Sequence, residues 1–265
     1  MSDEKFDSAL TYTSYLAVDE LLSLQRPLSA GPEHDEMLFI IIHQTYELWF
    51  KQIIHEFLQA QRTMESGDTY YSLAILGRIR TIMKVCVAQI DILETMTPLQ
   101  FNSFRSYLSS ASGFQSTQFR KVEALLGRRD NKMADHLPPA IQAEIALLTA
   151  KNSVWDSALA YLAKRGHAIP TDVLNRDRAL AYEANLQVQD VLLDIHRQDP
   201  ESSMVCERLL DIDEGIQEWR YRHVKMVERT IGHKVGTGGS SGVEYLSGTL
   251  FNPAFRDLWE IRSRF

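Results

Sequence analysis

F-I-I-I-H-Q-T-Y-E-L-W-F-K-Q-I-I-H-E-F-L-Q-A-Q-R-T-M, running from Phe39 to Met64, decides the fold. Within it Phe39, His43, Tyr46, Phe50, Ile53, Phe57, Ala60 and Met64 fall at alternating steps of four and three. That period lines side chains along one side of an α-helix, so the stretch from His34 to Met64 reads as one long helix with a narrow apolar seam. Val205, Leu209, Ile212, Ile216, Trp219, His223, Met226 and Thr230 repeat the steps, and Ile75, Ile79, Ile82, Cys86, Gln89, Leu93 and Met96 nearly do so. Three long helices with narrow seams predict a helical bundle. There is no convincing period-two strand, no repeat and no low-complexity segment. The expectation is one all-α domain over residues 1–265, a bundle with additional short helices.

Helix punctuation fills in the connections. Thr97-Pro98-Leu99-Gln100 fits a capping box with Pro at the first helical position, which predicts a short helix carrying Phe101, Phe104, Arg105 and Leu108. Ser109–Gly113 reads as a loop, and Phe114–Leu126 as a helix that stops at Gly127. After a surface connection over 131–139, helices are expected at roughly 139–150 and 153–165. Pro170 begins a break, a further helix is expected from about Asp177 to Gln198, and Asp199-Pro200 opens the long helix that holds His223.

Composition narrows the function classes. A net charge of −7 argues against a nucleic-acid or anionic-membrane partner, since both need a basic face. The two cysteines, Cys86 and Cys206, sit inside predicted helices and form no C-x-x-C pair, so neither a disulfide framework nor a zinc knuckle is supported. The N-terminal M-S-D-E-K-F-D is charged and lacks the apolar core of a secretory signal. The longest apolar run, Met37–Ile42, is six residues, too short to span a bilayer. A soluble cytoplasmic protein is the expectation.

Three features carry possible chemistry. The first is G-T-G-G-S-S-G, Gly236–Gly242, directly after the predicted His223 helix. A dinucleotide fingerprint needs a strand before it and a third glycine where Ser241 stands, and a P-loop needs a following Lys-Ser or Lys-Thr. What remains is a flexible linker or a loop that wraps a ligand. The hydroxyls of Thr237, Ser240 and Ser241 among hinge-capable glycines favour the loop. The second is the pair His43 and His223, on the seams of two different helices. An inward imidazole must be hydrogen-bonded or ligated, because an unpaired buried polar group costs about 1–3 kcal/mol. Either histidine alone is most simply a satisfied core residue. Two beside Phe39, Tyr46, Phe50 and Trp219 suggest a cofactor. Neither Glu-x-x-His nor H-E-x-x-H occurs, so a carboxylate di-iron or zinc-protease site is disfavoured, and the metal suited to imidazoles in an apolar slot is haem iron. Without C-x-x-C-H the haem would be non-covalent. The third is Arg105, which shares a helix face with Phe101 and Leu108 and must either snorkel to water or clamp an anion. A bis-histidine electron carrier and a haem-free helical interaction protein are the rival classes; a carrier needs neither Arg105 nor the glycine loop.

At these residues the chain resembles a known family. Phe39–Lys51 (F-I-I-I-H-Q-T-Y-E-L-W-F-K), Phe104–Ser116 (F-R-S-Y-L-S-S-A-S-G-F-Q-S), Trp219–His223 (W-R-Y-R-H), the glycine run and Tyr12–Leu22 (Y-T-S-Y-L-A-V-D-E-L-L) closely match the tryptophan 2,3-dioxygenases, in order, from Tyr12 to about Leu250. The resemblance implies an α-helical homotetramer with one non-covalent haem b per subunit. Its reaction opens the indole ring of L-tryptophan with O2 to give N-formyl-L-kynurenine, the first step of the kynurenine pathway. It also implies residue roles. His223 looks like the proximal iron ligand, and His43 like the catalytic distal residue near the indole nitrogen. Phe39 would pack on the indole, within a substrate-binding stretch that includes Ile40, Ile41 and Ile42. Arg105 would clamp the carboxylate and Thr237 the ammonium and carboxylate end, with Phe101 and Leu108 as walls. Ser112, Gly113 and Gly236 would lie against the haem. Tyr12, Tyr15 and Leu16, in a segment of about residues 1–22, resemble one that reaches into a neighbouring subunit's pocket. Phe101 and Phe119 stand where some members carry Tyr, so a hydroxyl contact is lost there. His233 is outside the family's motif and is given no role.

Overall fold

All three seams fold as helices. The computed structural model describes residues 10–130, 133–234, 236 and 242–265. In chain order its α-helices are α1 (Tyr12–Leu16), α2 (Val18–Leu22), α3 (His34–Ser66), α4 (Thr69–Leu93), α5 (Pro98–Arg105), α6 (Thr117–Leu125), α7 (Pro139–Thr149), α8 (Val154–Lys164), α9 (Thr171–Leu174), α10 (Leu186–Gln198), α11 (Pro200–Ile231), α12 (Val243–Ser247) and α13 (Arg256–Glu260). Short 3-10 turns lie at Ser106–Leu108, Gly113–Gln115 and Ile261–Arg264. Among the described residues there is no strand, and no helix is long and apolar enough to cross a membrane.

The frame is α3, α4 and α11. Helix α4 packs against both α3 and α11, while α8 and α6 cover other sides of α3. Gly67, at φ +85°, ends α3, and the Asp68 side chain accepts from Tyr71 N to start α4, so a two-residue turn makes the pair antiparallel. The seams are buried along most of their length: Phe50, Ile53, Phe57, Ala60 and Met64 on α3, Ile75, Ile79 and Cys86 on α4, and Val205, Leu209, Ile212 and Ile216 on α11. Burying one such apolar side chain contributes about 1.5–3 kcal/mol, which is why a narrow stripe suffices to fix the bundle. The seams open at one end only, where Phe39 and His43 of α3 and His223 and Thr230 of α11 are half-buried.

Two of the expected elements differ. The helix expected over Phe114–Leu126 is a 3-10 turn followed by α6. The Ser112 hydroxyl accepts from Phe114 N and the Ser116 hydroxyl from Phe119 N, and these side-chain caps hold Ser116 extended between them. The helix expected from about Asp177 begins at Leu186. Asn185 caps it by accepting from Gln187 N and Val188 N, and residues 177–185 are tied elsewhere, with Tyr182 Oη and Asn185 N both donating to Asp257. The capping box at Thr97 forms as expected.

The C-terminal segment is pinned by buried carboxylates. Asp213 of α11 accepts from Ala254 N, Phe255 N and Trp259 Nε1 at 3.0–3.1 Å. Asp257 accepts additionally from Gln189 Nε2. The start of α11 is fixed by Asp199, whose carboxylate accepts from Ser202 N and Ser202 Oγ and pairs with Arg165 and His167.

Candidate functional site

The open end of the seams is a cavity. Its walls come from α3 (Phe39, His43, Tyr46), α5 and the turn after it (Phe101, Arg105, Leu108), the Ser112–Phe114 turn, α6 (Phe119, Arg120), α11 (Trp219, His223, Met226) and α12 (Tyr245, Leu246). Six separate stretches of the chain therefore converge on it. The wall is mainly aromatic. Phe39 lies 5.8 Å from Phe101 and 5.6 Å, edge on, from Phe104, and Phe119 sits 4.9 Å from Trp219.

The two histidines differ in their hydrogen bonding. His43 Nδ1 lies 2.7 Å from the Phe39 carbonyl oxygen, one turn back on α3. A carbonyl only accepts, so Nδ1 carries the proton, and in the neutral ring Nε2 is left as an acceptor. Burial lowers the His43 pKa below its ordinary value, the carbonyl partly opposing, so this neutral tautomer is the resting one. The Phe39 ring, 4.1 Å away centroid to centroid, fixes the imidazole plane. His223 has no hydrogen-bond partner among the described residues. Its ring lies parallel to Trp219, 2° from coplanar with centroids 5.3 Å apart. Burial, and then the neighbouring His43, push its pKa down to about 4, so it too is neutral. A neutral imidazole without a partner, held in a fixed plane by an aromatic ring, has its lone pair available to a metal. Among the described residues no three His, Cys, Asp or Glu cluster as a metal site, so such a metal would have to bring its other donors with it. A porphyrin does that, and the apolar aromatic walls fit its faces.

One region of the wall is charged. Glu123 of α6 is buried and accepts from Arg120 at 2.5 Å, Arg128 at 2.9 Å and Arg220 at 3.2 Å. Arg128 also pairs with Asp130 at 3.1 Å. Arg120 is only 5% exposed, its Nη2 reaches the Phe114 carbonyl, and its guanidinium stacks over the rings of Phe114 and Phe119. Its Nε has no hydrogen-bond partner among the described residues.

Of the residues singled out from sequence, Phe39, His43, Phe101, Arg105, Leu108, Ser112, Gly113, His223 and Gly236 all line this one cavity. Ile40, Ile41 and Ile42 do not: Ile42 packs in the main core, and Ile41 is exposed. Tyr12, Tyr15 and Leu16 form α1, are exposed, and line no part of the cavity within this chain. Thr237, with Ser240 and Ser241, lies outside the described residues. Sequence reasoning missed the Arg120–Glu123–Arg220 cluster and the α12 wall. Arg120 and Glu123 are an i,i+3 pair flanked by Phe119 and Val122, and that signal was readable. The α12 wall carries no period or motif that would mark it.

Comparison with known proteins gives a consistent result. The family model described as "Tryptophan 2,3-dioxygenase" matches residues 1–138 and 156–265. A protein of that name from Anaeromyxobacter sp. (strain K) is 56% identical over 257 residues, covering 96% of each chain. One from Herpetosiphon aurantiacus is 54% identical over 256 residues, covering 96% of this chain and 98% of its own. One from Caulobacter vibrioides is 42% identical over 262 residues, with 96% and 98% covered.

Proposed function

The chain belongs to the tryptophan 2,3-dioxygenase family, and from that premise we propose how its cavity serves the reaction. The activity is the opening of the indole ring of tryptophan by O2, with both oxygen atoms retained in N-formylkynurenine. The cofactor is haem b held through His223, whose unpartnered imidazole is the observation that carries this reading. When bound, the haem supplies the redox-active iron that makes O2 reactive toward the indole.

The chain's own residues do the rest. His223 would be the residue that holds the haem, and His43, its Nδ1 tied to the Phe39 carbonyl, would face O2 and substrate rather than the metal. Its Nε2 accepts the indole N–H and sets which edge of the ring faces the reacting oxygen. Phe39 and Phe101 hold the ring by apolar contact. Zwitterionic tryptophan is costly to desolvate, and the Arg105 guanidinium on α5 offsets its carboxylate. The aromatic walls keep water from the reacting atoms. Homotetramer assembly belongs to the same reading.

A direct test uses the purified protein in ferrous form with L-tryptophan and air. Appearance of the formylkynurenine absorbance is expected, with a Soret band in the starting protein. His223→Ala should lose most of the bound haem. Full Soret absorbance in that variant would overturn the ligand assignment, and an unaltered low-spin spectrum on adding tryptophan would favour an electron carrier instead.

A further inference from the structure

We propose that the charged corner of the cavity, Arg120 with Arg220 around Glu123, is a carboxylate-binding site that receives the propionate groups of the haem. The proposal rests on the haem reading above and adds to it which way the macrocycle lies.

Four observations converge. First, among the described residues the charges do not balance: three guanidinium groups, those of Arg120, Arg128 and Arg220, pair with two carboxylates, Glu123 and the more exposed Asp130. Removing charge from water is costly, so an excess cation in a buried corner calls for an anion. Second, among the described residues Arg120 Nε is a buried donor without a partner, on a side chain that is 5% exposed and lines the cavity. Buried donors are normally satisfied, and one left open at a ligand cavity marks a contact that the ligand completes. Third, the guanidinium cannot swing away. Glu123 and the Phe114 carbonyl hold its two Nη atoms, and the Phe114 and Phe119 rings sandwich it. Its position is set before any ligand arrives, which lowers the cost of binding. Fourth, Arg220 lies three residues before His223 on α11, so one helical face presents both the His223 imidazole and a cation about 4.5 Å away along the axis. A flat ligand coordinated by His223 thus meets positive charge on the Arg220 side and apolar side chains, Met226 and Val227, on the other. Haem has that polarity, with two carboxylates on one edge and only methyl and vinyl groups on the opposite one. Tryptophan's single carboxylate is already provided for by Arg105 on α5, a different wall.

The experiment compares protohaem with its dimethyl ester, which keeps the iron and ring but has no carboxylate charge. Each is loaded into the full-length protein and into Arg120→Gln and Arg220→Gln, and the rate of transfer to excess apomyoglobin is read from the Soret band. A hydrogen-bonded charge contact predicts that Arg120→Gln loses protohaem roughly 10- to 100-fold faster while its dimethyl-ester rate stays within about two-fold of wild type. Arg120→Lys, which keeps the charge but not the fork, should fall between. Because wild type alone must release the ester faster than protohaem, the comparison holds even if Arg120→Gln does not fold. Equal wild-type release of the two haems, or an Arg120→Gln effect of the same size on both, overturns the site while leaving haem binding intact. Failure of wild type to bind either haem overturns the haem reading, and this inference with it.

Discussion

His43 illustrates how a single backbone contact assigns a role. The Phe39 carbonyl takes the Nδ1 proton, and burial keeps the ring neutral. Together they leave one lone pair, on Nε2, in a cavity whose other walls are mostly carbon. A serine there is too short to reach the same atom. His43→Ser should therefore keep its haem and lose about one hydrogen bond's worth of transition-state stabilisation, roughly five- to ten-fold in kcat/KM. The indole nitrogen supplies the control. With tryptophan methylated on that nitrogen there is no proton to accept, so wild type and His43→Ser should turn over at similar, low rates. A full-sized difference on the methylated substrate would mean that His43 acts by some other route, such as proton transfer elsewhere. Loss of haem from the variant would make it a ligand.

At the scale of helices, the long seams were legible because burial enforces a 3.6-residue period over seven or more turns, and nothing local competes with it. The short elements were not, because one side chain decides them. Ser116 starts α6 three residues later than the apolar pattern suggests, and Asn185 delays α10 by about nine. His43, Arg105 and His223, singled out from sequence, come together around one cavity. The isoleucines before His43 adjoin it in sequence but do not line the cavity, since neighbours on a helix point to different sides. Asp199 shows how much a single cap can hold. Burial acts to raise its carboxyl, yet the Ser202 hydroxyl and amide, then His167 and Arg165, hold it well below the usual carboxylate range. A depressed carboxyl contributes stability that is fully present above the unfolded value near 3.9 and is lost as pH falls through the folded one. Asp199→Asn should cost about 1 kcal/mol at pH 7, and the two proteins should converge as the pH drops below about 4. Urea midpoints at pH 7 and pH 3 check this. A gap that persists unchanged at pH 3 would show that the charge of Asp199 is irrelevant to the cap.

For the whole molecule, the question is what covers the N-terminal segment. Helix α1 is locally well specified: the Thr11 hydroxyl accepts from Ser14 N, and the Ser14 hydroxyl accepts from Thr11 N. Yet α1 and α2 bury no residue, and Tyr12 and Tyr15 are 78% and 71% exposed. Helices of five residues are not stable on local bonds alone, so a defined α1 needs a surface to pack on. The chain behind it is anchored: Gln25 and Gln44 exchange a side-chain hydrogen bond, and Glu36 accepts from Leu28 N and Ser29 N, which ties residues 25–29 along α3. The segment therefore leaves a fixed point with two tyrosines and several leucines exposed, and the homotetramer proposed above offers a second copy of this chain to cover them. Among the described residues 10–22 no side chain is buried within the subunit, so deleting residues 1–22 should change the monomer's urea stability little. Sedimentation should nevertheless show a smaller assembly than that of the intact protein. If Tyr12, Tyr15 and Leu16 complete a neighbour's tryptophan site, the truncation also removes roughly 1.5–3 kcal/mol of apolar contact for each large side chain, and KM for tryptophan should rise at least about ten-fold. Haem content should hold, because His223 and the cavity walls all lie beyond residue 22. Unchanged mass together with unchanged KM would show that α1 packs on nothing that matters to assembly or substrate.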